Sequence, residues 1–164
     1  MRPKVGMRVA VLRFGSGTAV VVMVSCESRR AEYSLAMSPA DRIWNRAALE
    51  RGGPSPRAGD RALAALLLVH GLVMNGGVLH AIEHLSSREV NEALDGFRFF
   101  DLHGPAEVLA QALATDVAAC SDETELALDA VYGSQVPNDD TIVKCFEAHF
   151  RVHPESYAPA PTTS

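Results

Sequence analysis

The chain has 164 residues, of which 48% are hydrophobic and 21% charged, with a formal net charge of −5. That is enough for one domain with a core of useful size, and the acidic balance argues against a general nucleic-acid binder. Cys26, Cys120 and Cys145 form no C-x-x-C, which argues against a disulfide framework or a Cys-rich zinc site and fits a reducing cytoplasm. No apolar run approaches the roughly 18 residues of a membrane span; Ala62–Val69, the longest, is flanked by Arg61 and His70. Thirteen arginines against two lysines, with abundant alanine, read as the codon use of a GC-rich bacterial genome.

Residues 1–36 carry six basic and two acidic residues, a net +4, whereas residues 37–164 carry a net −9. Such a break marks a boundary, which sets residues 1–37 apart as a non-core leader, 38–157 as a single helical domain and 158–164 as a mobile tail. Three readings of the leader stand side by side. One is a hairpin, with Val9–Leu12 and Thr18–Val24 as strands and Phe14-Gly15-Ser16-Gly17 as the turn. Another is a lipoprotein signal with Met23-Val24-Ser25-Cys26 as its cleavage box. The third is a disordered leader or a mis-annotated start, translation beginning at Met37.

From Ser38 onward the pattern predicts an all-α, compact bundle of six or seven helices. Ser38-Pro39 supplies an N-cap and a proline at the first helical position; Ile43, Trp44, Ala47 and Ala48 form one face, and Gly52-Gly53-Pro54 ends it. Asp60 is expected to cap a second helix running to about Met74, apolar almost all round through Leu63, Leu66, Leu67, Val69, Leu72 and Val73, hence central and buried. Asn75-Gly76-Gly77 stops it. A short helix over Val78–Leu85 follows. Ser86 and Glu89 have capping-box spacing for a helix with Val90, Ala93, Leu94 and Phe97 inward. Gly104-Pro105 opens the next, with Leu109, Ala112, Leu113 and Val117 at helical spacing. Ser121 starts another with Leu128, Val131 and Tyr132 inward, and Asn138 or Asp139 caps a last one bearing Ile142, Val143, Phe146 and Phe150 up to Pro154.

Two features carry candidate chemistry. His80-Ala81-Ile82-Glu83-His84 is an H-x-x-E-H string. Histidines at i and i+4 share a helix face and can reach one zinc, with Glu83 as general base, the pattern of inverzincin hydrolases. A third ligand would have to come from Glu107, Glu123, Glu125 or Glu147, none of which stands in a second motif. Half-exposed histidines on an amphipathic turn, with Leu79 and Ile82 inward, are the ordinary account of such a string. His70 sits inside the most apolar helix, where a core histidine satisfied by backbone is the ordinary case and a proton carrier the alternative. His103, His149 and His153 read as cap or surface residues, and Cys120 and Cys145 as packing residues. There is no G-x-S-x-G, Walker loop or dinucleotide fingerprint, so no cofactor is expected.

The second feature is a charge field. Between Glu83 and Asp140 thirteen acidic residues face only Arg88 and Arg98, a net −11. Carboxylates fixed on rigid helices imitate a row of phosphates and attract a basic partner; acidic helices also keep ordinary proteins soluble. Glu89, Glu92, Asp95, Asp122, Glu123, Glu125 and Asp129 are the candidate contacts.

Trp44-Asn45, Gly59-Asp60-Arg61-Ala62-Leu63, the run from His70 through Met74-Asn75-Gly76-Gly77 to His80, and Ala93 through Gly96-Phe97-Arg98-Phe99-Phe100 resemble a small all-helical bacterial family named after the C-terminal region of a DNA-mimic protein. Leu128-Asp129, Tyr132, Phe146-Glu147, His153-Pro154-Glu155 and Tyr157 are similar too, so the resemblance spans roughly 38–158 and omits the leader. The chain departs from the pattern after Asn75-Gly76-Gly77, where Val78-Leu79-His80-Ala81 replaces an aromatic-rich stretch. The resemblance implies an all-α fold, no catalytic residues, and a homodimer whose acidic surface occupies the DNA-binding face of a transcription factor. Trp44 and Asn75-Gly76-Gly77 enter as structural members of the motif. The expectation is a cytoplasmic, non-enzymatic domain that binds a protein, a basic DNA-binding regulator, with no direct nucleic-acid or membrane binding; the zinc hydrolase built on His80, Glu83 and His84 is the alternative.

Overall fold

The computed structural model describes residues 11–14, 18–21, 37–116 and 120–159. In the leader, β1 (Val11–Phe14) pairs antiparallel with β2 (Thr18–Val21), Val11 opposite Val21 and Phe14 opposite Thr18. The strand takes in Phe14, which the sequence reading gave to the turn. The Met23–Cys26 cleavage box falls outside the described residues.

Among the described residues seven α-helices form the body: α1 (Pro39–Glu50), α2 (Ala58–Gly76), α3 (Val78–His84), α4 (Ser87–Phe99), α5 (His103–Leu113), α6 (Asp122–Gln135) and α7 (Asp139–Val152), followed by a 3-10 turn over Pro154–Ser156. Their starts are set by local side chains. Ser38 accepts from the Asp41 amide at 3.1 Å while the Asp41 carboxylate accepts from the Ser38 amide at 3.2 Å. Ser86 and Glu89 repeat this reciprocal arrangement at the start of α4. Ser121 caps α6 through the Thr124 amide, and Asn138, not Asp139, caps α7 through the Asp140 amide. α1 ends on Arg51 in the left-handed conformation, φ 51°, rather than on a glycine.

Helix α2 is the axis of the bundle, and α4 packs along it more extensively than any other element. Gly96 permits this approach. A Cβ there would stand 2.5 Å from the Ala62 carbonyl oxygen, so any side chain would force the helices apart. Leu63, Leu66, Val69, Ala93, Phe97, Leu109, Ala112, Ile142 and Phe146 are buried in one continuous core. Trp44 packs on Phe146 with ring centroids 5.9 Å apart, joining α1 to α7.

Three positions depart from the sequence reading. Ala48 is exposed, and Asn45 takes a buried place on that face instead. Val131 points outward, because α6 is oriented by Leu128 and Tyr132, four residues apart on its inner side. Asp60 is not the N-cap of α2 but its third residue, buried, with its carboxylate accepting from the Arg57 amide at 3.0 Å. The same carboxylate meets the Arg46 guanidinium at 2.6 Å and accepts from the Ala158 amide at 2.7 Å. Arg46 also donates to the Ala158 and Pro159 carbonyls, so the first residues of the expected tail are tied to α1 and α2. Val117 and residues 160–164 lie outside the described residues.

Candidate functional site

The acidic residues singled out from the sequence divide between two helices on either side of α5, which packs on both. On α4 each has a basic neighbour. Arg88 Nε donates to Glu92 at 2.8 Å, and this bond raises the guanidinium's already high pKa. Arg98 lies 3.4 Å from Asp95. Glu89 is held in the α4 cap by the Ser86 amide and hydroxyl, which keep its carboxyl below the usual carboxylate range, and Arg51 lies 3.7 Å away.

On α6 the arrangement differs. Asp122, Glu123 and Glu125 occupy its first turn, where the unpaired amides and the helix dipole favour negative charge. None of the three has an ion-pair partner among the described residues. From Ser121 to Asp140 the chain holds six carboxylates and no basic residue. Asp129 is half-buried and acts structurally, since its Oδ1 accepts from the Val78 amide at 2.7 Å and so caps α3 from a different helix.

That bond explains the Asn75-Gly76-Gly77 stop. Gly77 has φ 91° and ψ 173°, a region that essentially only glycine occupies, and a Cβ there would meet the Asp129 carboxylate at 2.7 Å. The Asn75 amide bonds back to the Gly71 carbonyl at 2.8 Å. Gly76 is still helical, so α2 runs two residues past the expected Met74 end.

Beside this junction a hollow of about 320 Å³ opens between the end of α2 and the middle of α6, with Met74, Gly77, Asp129, Tyr132 and Gly133 in its walls. Tyr132 in its wall belongs to a polar chain, running from the buried interior to the half-exposed Asp139, that the sequence reading missed. His70 is satisfied by side chains, not by backbone: Nε2 donates to Asp139 Oδ1 at 3.0 Å, and Nδ1 accepts from the Tyr132 hydroxyl at 2.9 Å. Burial, and then the Asp139 charge, push the Tyr132 phenol far above its ordinary pKa, so it remains a hydrogen-bond donor. The hydroxyl is committed to His70 and holds α6 against α2.

His80 and His84 do come together, with ring centroids 4.0 Å apart. His84 Nδ1 is already used, donating to the His80 carbonyl at 2.9 Å. Glu83 is exposed, and no group of three or more His, Cys, Asp or Glu among the described residues is placed to hold a metal ion. Leu79 is buried and Ile82 partly so, as the amphipathic reading expects. His149, read as a cap or surface residue, is half-buried. Its ring centroid lies 4.5 Å from that of Phe99, and its Nδ1 is hydrogen-bonded to the Tyr157 hydroxyl at 2.9 Å. Burial, aided by nearby His153, lowers its pKa. Burial raises the pKa of the Cys145 thiol, which suits a packing residue better than a nucleophile.

No helix among the described residues is long and apolar enough to cross a membrane. No curated protein and no solved structure matches the chain. A family model does: it covers residues 56–151, from the start of α2 almost to the end of α7, and takes in the Asn75-Gly76-Gly77 junction, the His70–Tyr132–Asp139 chain and both acidic helices, though not Trp44. With more than half of its length matched, the chain belongs to the DMP19-like protein family, a family of DNA mimics.

Proposed function

We propose that this protein is a non-enzymatic, cytoplasmic binding domain that occupies the DNA-binding face of a basic regulator. Membership of a DNA-mimic family supports a protein-binding role, and one observation carries the finer reading: the unneutralised carboxylates on the first turn of α6. A helix holds the backbone of such groups at fixed spacing, as a duplex holds its phosphates, so only their side-chain rotamers are left to be ordered on meeting a partner. Asp122, Glu123 and Glu125 are the principal contacts, because the α4 carboxylates Glu89, Glu92 and Asp95 must first give up arginine neighbours and Asp129 is occupied by Val78. The partner is a protein with a cationic face. Homodimerisation would set two such acidic turns on one assembly.

The test is capture from native extract by the full chain at low and high salt, followed by competition. A DNA-binding protein retained at low salt, released at high salt and displaced by duplex DNA is the expected outcome, since charge contacts are screened. Replacing Asp122, Glu123 and Glu125 together by Lys should abolish retention. A retained protein that binds DNA and this chain at once would overturn the reading.

A further inference from the structure

Helix α6 carries more apolar residues than the bundle uses. Leu128 and Tyr132 face inward, and Val136 just beyond the helix is buried as well. On the opposite side Leu126 is 68% and Val131 46% exposed, with Ala127 and Ala130 exposed between them. Gly133 continues this strip to the hollow beside Met74, which is itself 54% exposed. Thus three of the five large apolar side chains left exposed among the described residues lie on or beside one helix. A helix that is apolar on both sides is made to be covered on both sides. Small residues at Ala127, Ala130 and Gly133 let a second helix approach closely.

The charges around the strip indicate what covers it. Asp122, Glu123 and Glu125 lie at its start, and Asp140 lies just past its end. The last turn of α6 has no basic residue. A second copy laid antiparallel would bring its acidic first turn onto the negative end of this helix, and a parallel copy would set carboxylates on carboxylates. Neither arrangement neutralises anything. We infer that the outer face of α6 docks an amphipathic helix of a partner protein whose apolar stripe is flanked by Arg or Lys at both ends. The stripe covers Leu126, Ala130 and Val131, one side chain enters the hollow beside Met74, and the basic ends meet the two acidic ends. This inference rests on the protein-binding reading above and adds the surface and the partner's structural class.

The probe is a labelled synthetic helix matching the 14 residues of α6 in length, with a Leu/Ala stripe and two arginines at each end, titrated into the full chain by fluorescence anisotropy. Two controls keep either the stripe with glutamate ends or the arginine ends with a polar stripe. The Arg-ended amphipathic helix should bind at least about tenfold more tightly than both. The Leu126→Gln/Val131→Gln double variant should weaken it by about tenfold with circular dichroism unchanged. Equal binding of the glutamate-ended helix, or full binding by the double variant, overturns the proposal. So does self-association of the native chain that the double variant abolishes, because a second copy then owns the face. A regulator captured and displaced by DNA, yet indifferent to the double variant, would sink this surface and leave the mimic reading standing. Peptide binding here with no DNA-displaceable partner would do the reverse.

Discussion

Helices α4 and α6 flank the same neighbour and are similarly acidic at their starts, yet they are built for different purposes. α4 is finished. Its inner side is locked into α2 through Gly96 and Phe97, and its carboxylates are matched by Arg88, Arg98 and Arg51. α6 differs: its inner side is anchored by Leu128 and Tyr132, while among the described residues its first-turn acids have no ion-pair partner and Leu126 and Val131 on its outer side are exposed. Acidic composition alone does not make a mimic. What matters is which carboxylates the fold leaves unmatched.

The comparison is sharpest in the cores of the two helices. Phe97→Ala should cost about 3–5 kcal/mol, because a fully buried ring is deleted between α4 and α2. Leu126→Ala on the outside of α6 should change stability by no more than about 0.5 kcal/mol. Urea denaturation measures both, and a large loss from Leu126→Ala would show that the outer face of α6 is already covered in the free protein. Asp129→Ala should cost about 1–3 kcal/mol, since it strips the cap from the Val78 amide; a neutral result would detach α6 from the Asn75-Gly76-Gly77 junction.

The C-terminal end of α4 gives a pH effect. His149 packs against Phe99 and Phe100, and burial depresses its pKa in the folded state, so the unfolded chain binds the proton more readily. Its contribution to stability is therefore complete above the unfolded imidazole pKa of about 6.5 and is lost as pH falls from there through the lower folded value. Thermal unfolding at pH 7.5 and pH 5 should show a lower Tm at pH 5, and His149→Gln should remove part of that difference. An unchanged slope would take His149 out of the account. The smallest effect is expected on the exposed side of α4. Glu92→Gln breaks a solvent-exposed i,i+4 pair with Arg88 and should leave the urea midpoint almost unchanged, and high salt should erase what loss there is. A larger cost would mean that the α4 charges hold the fold instead of merely balancing one another.

Most helices were legible because their starting signals are local. Ser38 with Asp41, Ser86 with Glu89, Ser121 with Thr124 and Asn138 with Asp140 all lie within three residues, and the sequence shows both partners at once. Functions that depend on distant chain were not legible. His70 meets Tyr132 and Asp139, 62 and 69 residues away, and no periodicity announces that meeting. Asp60 looked like a cap because its remoter partners, Arg46 and Ala158, lie outside any local window. Val131 fits the apolar spacing of α6 as well as Leu128 does. Only the neighbours decide which stripe turns inward, so one helix with two candidate faces reads as a helix with one. The seven candidate acids read as one field in the sequence, but pairing is a property of geometry, and among the described residues it separates the paired carboxylates of α4 from the first turn of α6.

One carboxylate, that of Asp60, ties the beginning of the body to its end. It binds Arg46 on α1, sits on α2 and accepts from Ala158, 98 residues downstream. Fraying that starts at either terminus therefore meets the same charged knot, and undoing it from one side releases the other. The two ends should lose their amide protection together in native-state hydrogen exchange, as a single cooperative unit. The domain thus behaves less like a string of separately melting helices than like a clasped bracelet.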